Sequence, residues 1–214
     1  MTFEKVLLTT AYFPPAEYFS LIARSRHVII EKHENYIKQT YRNRCVILGS
    51  NGPLPLIVPV LRGSFHKTPL KDLRIDNGRP WRDLHLRSLV SAYATAPFFE
   101  FYFDVIRSII TGKHTFLLDL NSEALRAVCE AAGIKAHVSF TESFVKPGTV
   151  KDDYRYMITP KKPSETGFYT SVPYTQVFSD RHGFAGRMSI IDVLLNNGPG
   201  TGALLLKSLD VPDC

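Results

Sequence analysis

An α/β fold follows from three observations. Short apolar runs, Val6-Leu7-Leu8 and Val28-Ile29-Ile30, flank a segment of helical character. Two further runs, Val46-Ile47-Leu48 and Leu56 to Leu61, flank the turn signal Gly49-Ser50-Asn51-Gly52. Residues 81–111 carry apolar positions at helical spacing. The expected architecture is a mixed β-sheet in the N-terminal part, a helical pair over 81–111, and a C-terminal extended arm with short helices. We read residues 1–214 as one domain, with an N-terminal α/β core over about 1–140 and an arm and C-terminal region over about 141–214.

The elements are justified in order. Val6–Leu8 stops at Thr9-Thr10, and Pro14-Pro15 prevents a continuing ladder while fitting the first turn of a helix over Ala16–Ser25. Val28–Ile30 then completes a β-α-β start, in which ligands sit beyond the carboxyl ends of the strands and Tyr12 is placed there. Tyr41 to Leu48 alternates as a strand, putting Arg42 and Arg44 on one face and Tyr41 and Asn43 on the other. Two readings stand side by side: an anion clamp of Arg42 and Arg44 with Lys38 nearby, or a charged edge strand that deters edge pairing. Asn51-Gly52 predicts a hairpin, and Pro55 and Pro59 put its second strand at an edge.

Arg62 to Arg79 is polar and basic, a surface connection. Trp81–Ala94 and Phe98–Ile110 predict two helices, the second apolar almost all round and so buried in the protein or offered to a second copy as a homo-oligomer surface. Ser122–Ala132 predicts an amphipathic helix and Ala136–Phe140 a strand. Residues 146–173 are broken by Pro and Gly and rich in Lys, which reads as a mobile or ligand-ordered arm anchored by Tyr174–Phe178. Ser189–Asn196 and Leu204–Leu206 supply the last helices, with Gly198 as a C-cap.

Composition excludes several classes. The net charge is +6 with a pI near 9.2, yet only 21% of the 214 residues are charged and no Lys/Arg run exceeds a pair. A small anionic or sugar-containing ligand fits this better than nucleic acid. Three widely spaced cysteines support neither a disulfide framework nor a zinc knuckle, and no His pair has metal-site spacing on a helix. No run approaches the apolar length of a membrane span, and residues 1–25 lack a signal-peptide core, so the expected location is cytoplasmic. The nucleophile-elbow, Walker-loop and zinc-protease motifs are absent, and no cofactor is identified.

What remains is a constellation: Asn35, Lys38, Tyr41, Arg42, Asn43 and Arg44 as donors, with Trp81 and His85 one helical turn apart. Tryptophan can stack on a sugar, and histidine can move a proton near neutral pH, although a helical histidine also serves as a structural hydrogen-bonder.

Glu34-Asn35-Tyr36 and Lys38-Gln39-Thr40-Tyr41-Arg42-Asn43-Arg44 resemble the signature of the WbqC-like family. Tyr12-Phe13-Pro14-Pro15, Asn51-Gly52, Trp81 with His85, Tyr93 with Ala96-Pro97-Phe98, Tyr174–Phe178, Gly183-Phe184, Ser189–Asp192 and Asn197-Gly198-Pro199 extend the resemblance along the chain. Lys32-His33 departs from the acidic residues of many members. The resemblance implies a bacterial protein of surface-polysaccharide (O-antigen-like) biosynthesis. The implied activity is transfer of glycine or a small acyl group to an amino sugar or nucleotide sugar, with His85 as the catalytic base. The alternative it leaves is a non-catalytic sugar-nucleotide-binding or assembly protein.

Overall fold

The computed structural model describes residues 2–61, 68–161 and 168–208. Strand β1 (Phe3–Thr9) and strand β2 (Ser25–Glu31) run parallel, joined over helix α1 (Ala16–Ala23). Val6, Leu8, Val28 and Ile30 point to the same side and are fully buried, which is why these short runs pair strongly. Pro15 stands at the N-cap of α1, where its missing N–H costs nothing.

A hairpin follows, strand β3 (Arg44–Gly49) antiparallel to strand β4 (Gly52–Ile57). Gly52 at its turn has φ +102°, a conformation that glycine adopts without strain. Strands β5 (Val60–Leu61) and β6 (Arg74–Ile75) form a small ribbon. Helices α2 (Trp81–Tyr93), α3 (Phe99–Thr111) and α4 (Leu117–Ala131) lead to strand β7 (His137–Phe140), which joins β2 in parallel to give the order β1-β2-β7. Helix α5 (Ser179–His182), helix α6 (Ile190–Asn197) and helix α7 (Thr201–Lys207) complete the chain. Ser189 caps α6, accepting from Ile191 N at 3.3 Å while donating to the Phe13 carbonyl at 2.7 Å.

The fold is α/β with mixed sheets, as the sequence predicts, and five local expectations need correction. The four strands expected in one sheet divide, because β3 and β4 pair only with each other among the described residues while β7 takes the third place beside β2. Tyr41–Asn43 is a 3-10 turn and the strand starts at Arg44. Three tertiary hydrogen bonds override the alternation: Tyr12 N to Tyr41 O, Asn43 Nδ2 to Val58 O, and Asn121 Nδ2 to Arg42 O. Helix α4 begins five residues early, taking in the run at Leu117–Leu120. Helix α3 is amphipathic: Ile106, Ile109 and Ile110 are buried, whereas Phe101 is 73% exposed.

The fifth correction concerns the arm. Residues 152–154 pair with the free edge of β1, with Leu7 N bonded to Asp152 O at 2.9 Å and Tyr154 N to Leu7 O at 3.0 Å. Arg155, Ile158 and Phe168 are buried, so these parts of the arm are packed structure, while residues 146–149, Lys151 and Lys161 are exposed. Lys162, Pro163 and Gly167 of that arm, and Arg62 and Lys67 of the basic connection, lie outside the described residues.

Helix α6 is buried along almost its whole length, between α1, α3 and β3. Gly198 ends it at φ +53°, and a Cβ there would meet the Phe98 ring at 2.5 Å. Within this part of the core Asp192 accepts from Tyr174 Oη at 2.6 Å, Tyr93 Oη at 2.7 Å and Gln176 Nε2 at 2.9 Å. Burial raises its pKa, the hydrogen bonds from Tyr174, Tyr93 and Gln176 opposing. This neutral-donor clamp fastens residues 174–176 to the body.

Candidate functional site at the carboxyl edge of the parallel sheet

Strands β1 and β2 end on Thr9 and Glu31, and Thr141 follows the end of β7, so three parallel strands deliver polar residues to one edge. Glu31 is fully buried. Its Oε1 accepts from His33 N at 2.7 Å and Thr141 Oγ1 at 2.9 Å, and its Oε2 from Val145 N at 2.9 Å and Arg155 Nη1 at 3.3 Å. Arg155 also grips Asp153 with two donors, at 2.9 and 2.6 Å, and donates to Val145 O at 2.8 Å. Every buried polar group of this ion triad is thereby matched, the condition under which buried charge is tolerated.

A second pair lies beside it. Glu34 Oε1 accepts from Arg42 Nη2 at 2.7 Å, from Arg42 Nε at 3.2 Å and from Thr9 Oγ1. Glu34 and Arg42 are each about 2% exposed. The other oxygen, Oε2, is buried, and the Tyr156 phenol closes on this carboxylate. The Tyr156 ring spans the two ion pairs, 5.3 Å from the Arg155 guanidinium and 5.8 Å from that of Arg42. Its phenol is pushed up to about 12, chiefly by burial and then by the Glu34 carboxylate, through its charge and through the hydrogen bond the phenol donates to it. Tyr156 (44% exposed) and Phe144 (48% exposed) rim the cluster, and a cleft of about 350 Å³ adjoins it, lined by Leu7, Ile29, Thr141, Val145 and Val150 among others.

The residues singled out from the sequence fall into three places. Tyr12, Trp81 and His85 meet under the hairpin. His85 Nε2 lies 3.2 Å from the Ile57 carbonyl, which can only accept, so Nε2 carries the proton and Nδ1 accepts from Tyr12 Oη at 3.1 Å. His85 is 0% exposed, and burial pushes its pKa down to about 4, the Ile57 carbonyl opposing. Trp81 Nε1 is buried without a partner, and Arg82 stacks 4.5 Å from the ring.

Tyr41, Arg42 and Asn43 sit in the buried 3-10 turn, where Asn43 accepts from Tyr36 Oη at 3.0 Å. Arg42 spends its fork on Glu34, so no clamp forms with Arg44 on a shared strand face. Asn35 and Lys38 lie on the surface, Asn35 in a bridge to Pro69.

Sequence reasoning did not single out Glu31, Asp153, Arg155 or Tyr156. One signal was present, a glutamate directly after the apolar run Val28–Ile30. The partner Arg155 lies 124 residues further on, in a segment whose composition reads as solvated.

The fold and this edge define an α/β protein with charged groups gathered where parallel strands end. The chain belongs to the WbqC-like protein family, which matches residues 10–162, a range that holds Glu31, Glu34, Arg42, Asp153, Arg155 and Tyr156 and leaves out Asp192. It is also similar to an uncharacterised protein of Mycobacterium tuberculosis, Rv1507c, at 33% identity over 135 residues, covering 62% of this chain and 58% of that relative. The match thus spans little more than half of the relative's length. No solved structure matches. Among the described residues no helix is long and apolar enough to cross a membrane.

Proposed function

We propose that this protein is a cytoplasmic transferase of bacterial surface-polysaccharide biosynthesis, moving glycine or a small acyl group onto an amino sugar or nucleotide sugar. The observation that carries the location is the pair of buried clusters, Glu31–Arg155–Asp153 and Glu34–Arg42, at the carboxyl ends of parallel strands, where ligands of such sheets bind. The reaction class is the one that the sequence resemblance implies.

In this reading the acceptor's amine or hydroxyl attacks the donor's carbonyl, its proton passes to Glu34 Oε2, and the donor's leaving group departs with the electron pair of the broken bond. Exposed Lys38 and Asn35 hold anionic or sugar oxygens at the rim. Sealed with both nitrogens engaged, His85 positions Tyr12 and the hairpin instead of moving protons. Mass spectrometry of protein incubated with glycine, ATP and nucleotide-activated amino sugars tests the reading: a product heavier by one glycyl or acyl unit is expected. Binding without any covalent product sinks it.

A specific observation favours the second reading, a non-catalytic sugar-nucleotide-binding or assembly protein. Arg42 is neutralised internally and His85 is enclosed, so neither residue chosen for chemistry meets solvent.

A further inference from the structure

The two edges of the three-stranded parallel sheet are finished differently. The outer edge of β1 is paired: Leu7 N donates to Asp152 O at 2.9 Å, and Leu7 O accepts from Tyr154 N at 3.0 Å. The outer edge of β7 is bare among the described residues. Thr141 N donates to Ile30 O at 3.1 Å, so Thr141 and, by the alternation of a strand, Ser139 and His137 turn their backbone groups toward β2. The N–H and C=O groups of Val138 and Phe140 therefore point away from the sheet, and no described residue bonds to them. Unpaired groups at strand spacing are a template for another strand.

The side chains along this edge are apolar. Val138 and Phe140 stand in register with Val28 and Ile30 and face the same side of the sheet. Val28 and Ile30 are buried, whereas Val138 is 36% and Phe140 41% exposed. On that side a groove of about 430 Å³ runs between β7 and α4, with Leu125, Cys129, Ile134 and Ala136 along it and exposed Arg126 and Glu130 at its rim. An occupant suited to this surface supplies backbone donors and acceptors at strand spacing and apolar side chains two residues apart. Strand β7 itself meets both conditions.

We propose that β7 pairs antiparallel with β7 of a second copy of this chain about a two-fold axis, joining two three-stranded sheets into one continuous sheet. With Ser139 opposite its own counterpart, Val138 lies opposite the partner's Phe140. Both of these residues turn N–H and C=O outward, so each such pair exchanges both hydrogen bonds. The charges agree with the same register. It sets Ala136 opposite the partner's Glu142, with exposed Lys135 one position away, and the two-fold repeats this contact at the other end of the pairing. At the groove rim Arg126 and Glu130 cancel, so two antiparallel copies of α4 meet without net repulsion. The pairing does not depend on the reaction proposed above, and no residue of the buried ionic clusters takes part in it.

Sedimentation equilibrium over a wide concentration range tests it, and a monomer–dimer equilibrium is expected. Val138→Lys, checked for folding by circular dichroism, puts a charge on the bare edge and should weaken dimerisation at least about tenfold. Lys135→Glu should weaken it about fivefold, and Lys135→Glu/Glu142→Lys should restore it. Ser139→Cys reads the register directly. Opposed residues at a non-hydrogen-bonded pair bring their Cβ atoms close enough for a disulfide, so mild oxidation should cross-link this variant well above the wild-type level on non-reducing electrophoresis.

A protein that stays monomeric at every concentration overturns the inference. A dimer that survives in folded Val138→Lys does so as well, and its loss in Phe101→Asp, at a position 73% exposed on α3, would assign the interface to that helix instead. A dimeric Ser139→Cys variant that gives no cross-link above wild type also overturns the pairing.

Discussion

The Tyr12–Trp81–His85 group and the Glu31–Glu34–Arg42–Arg155 group are both buried polar clusters, and they differ in how their polarity is resolved. The first is electrically neutral. His85 is held in one tautomer between a carbonyl and a phenol, and rings cover it on its accessible sides. The second, with Asp153, carries five formal charges and keeps two half-exposed aromatic rings at its rim. Reactive residue types mark a site only where a ligand can reach them. In the first cluster histidine is a hydrogen-bonded part of the core and tryptophan packs there with its Nε1 unpartnered, whereas the second cluster gathers charge next to a half-exposed rim.

The largest effect that separates the clusters is removal of one buried charge. Arg42→Ala leaves Glu34 unpaired and should cost about 3–5 kcal/mol in urea denaturation, while the volume-filling double change Glu34→Met/Arg42→Met should cost much less. Equal losses in the two variants would mean that packing, and not charge pairing, sets the stability of this edge.

Acid probes the neutral cluster. His85 falls from 6.5 to about 4 in the folded chain, so its contribution is fully present above 6.5 and is lost as pH falls through that window to about 4. The loss at the acid end is about 3 kcal/mol. Denaturation of wild type and His85→Gln at pH 7 and pH 4 reads it, and the variant should lack that component of the acid loss. Asp192 has the opposite sign. Its raised pKa stabilises the fold most at low pH, and that contribution is lost as pH rises from 3.8 through the folded value, a component that Asp192→Asn removes.

A smaller effect belongs to the rim. Phe144→Ala should change stability by less than about 1 kcal/mol, because the ring is half exposed and its cation contact is long. A larger loss in thermal denaturation would show that the rim is structural and that the contrast between a sealed and an open cluster is too sharply drawn. The smallest effect concerns the arm. Brief trypsin digestion followed by mass spectrometry should show cuts at exposed Lys151 and Lys161 and none at buried Arg155. Early cleavage after Arg155 would show that this side chain leaves Glu31 readily and that the second cluster's cation is not held in the core.

Local signals in the sequence were sufficient where the partners are near in the chain. Val6–Leu8, Pro14-Pro15 and Val28–Ile30 specify a β-α-β unit, because apolar strands, a ladder-ending proline pair and an intervening helix leave one right-handed way to pack. The hairpin is equally legible, since Gly52 supplies the backbone conformation that its turn requires. The periodicity of 81–93 and 99–111 placed two helices within a residue or two of their observed ends.

Tertiary structure decided the third strand of the sheet, the burial of Arg42 and the docking of Arg155 onto Glu31. A parallel edge strand can be supplied from anywhere later in the chain, and β7 arrives more than a hundred residues after β2 with only four residues of its own. An arginine buried against a distant carboxylate carries the same letters as one in solvent. Its fate is set by which charges the fold desolvates together, and that choice has no local period to read.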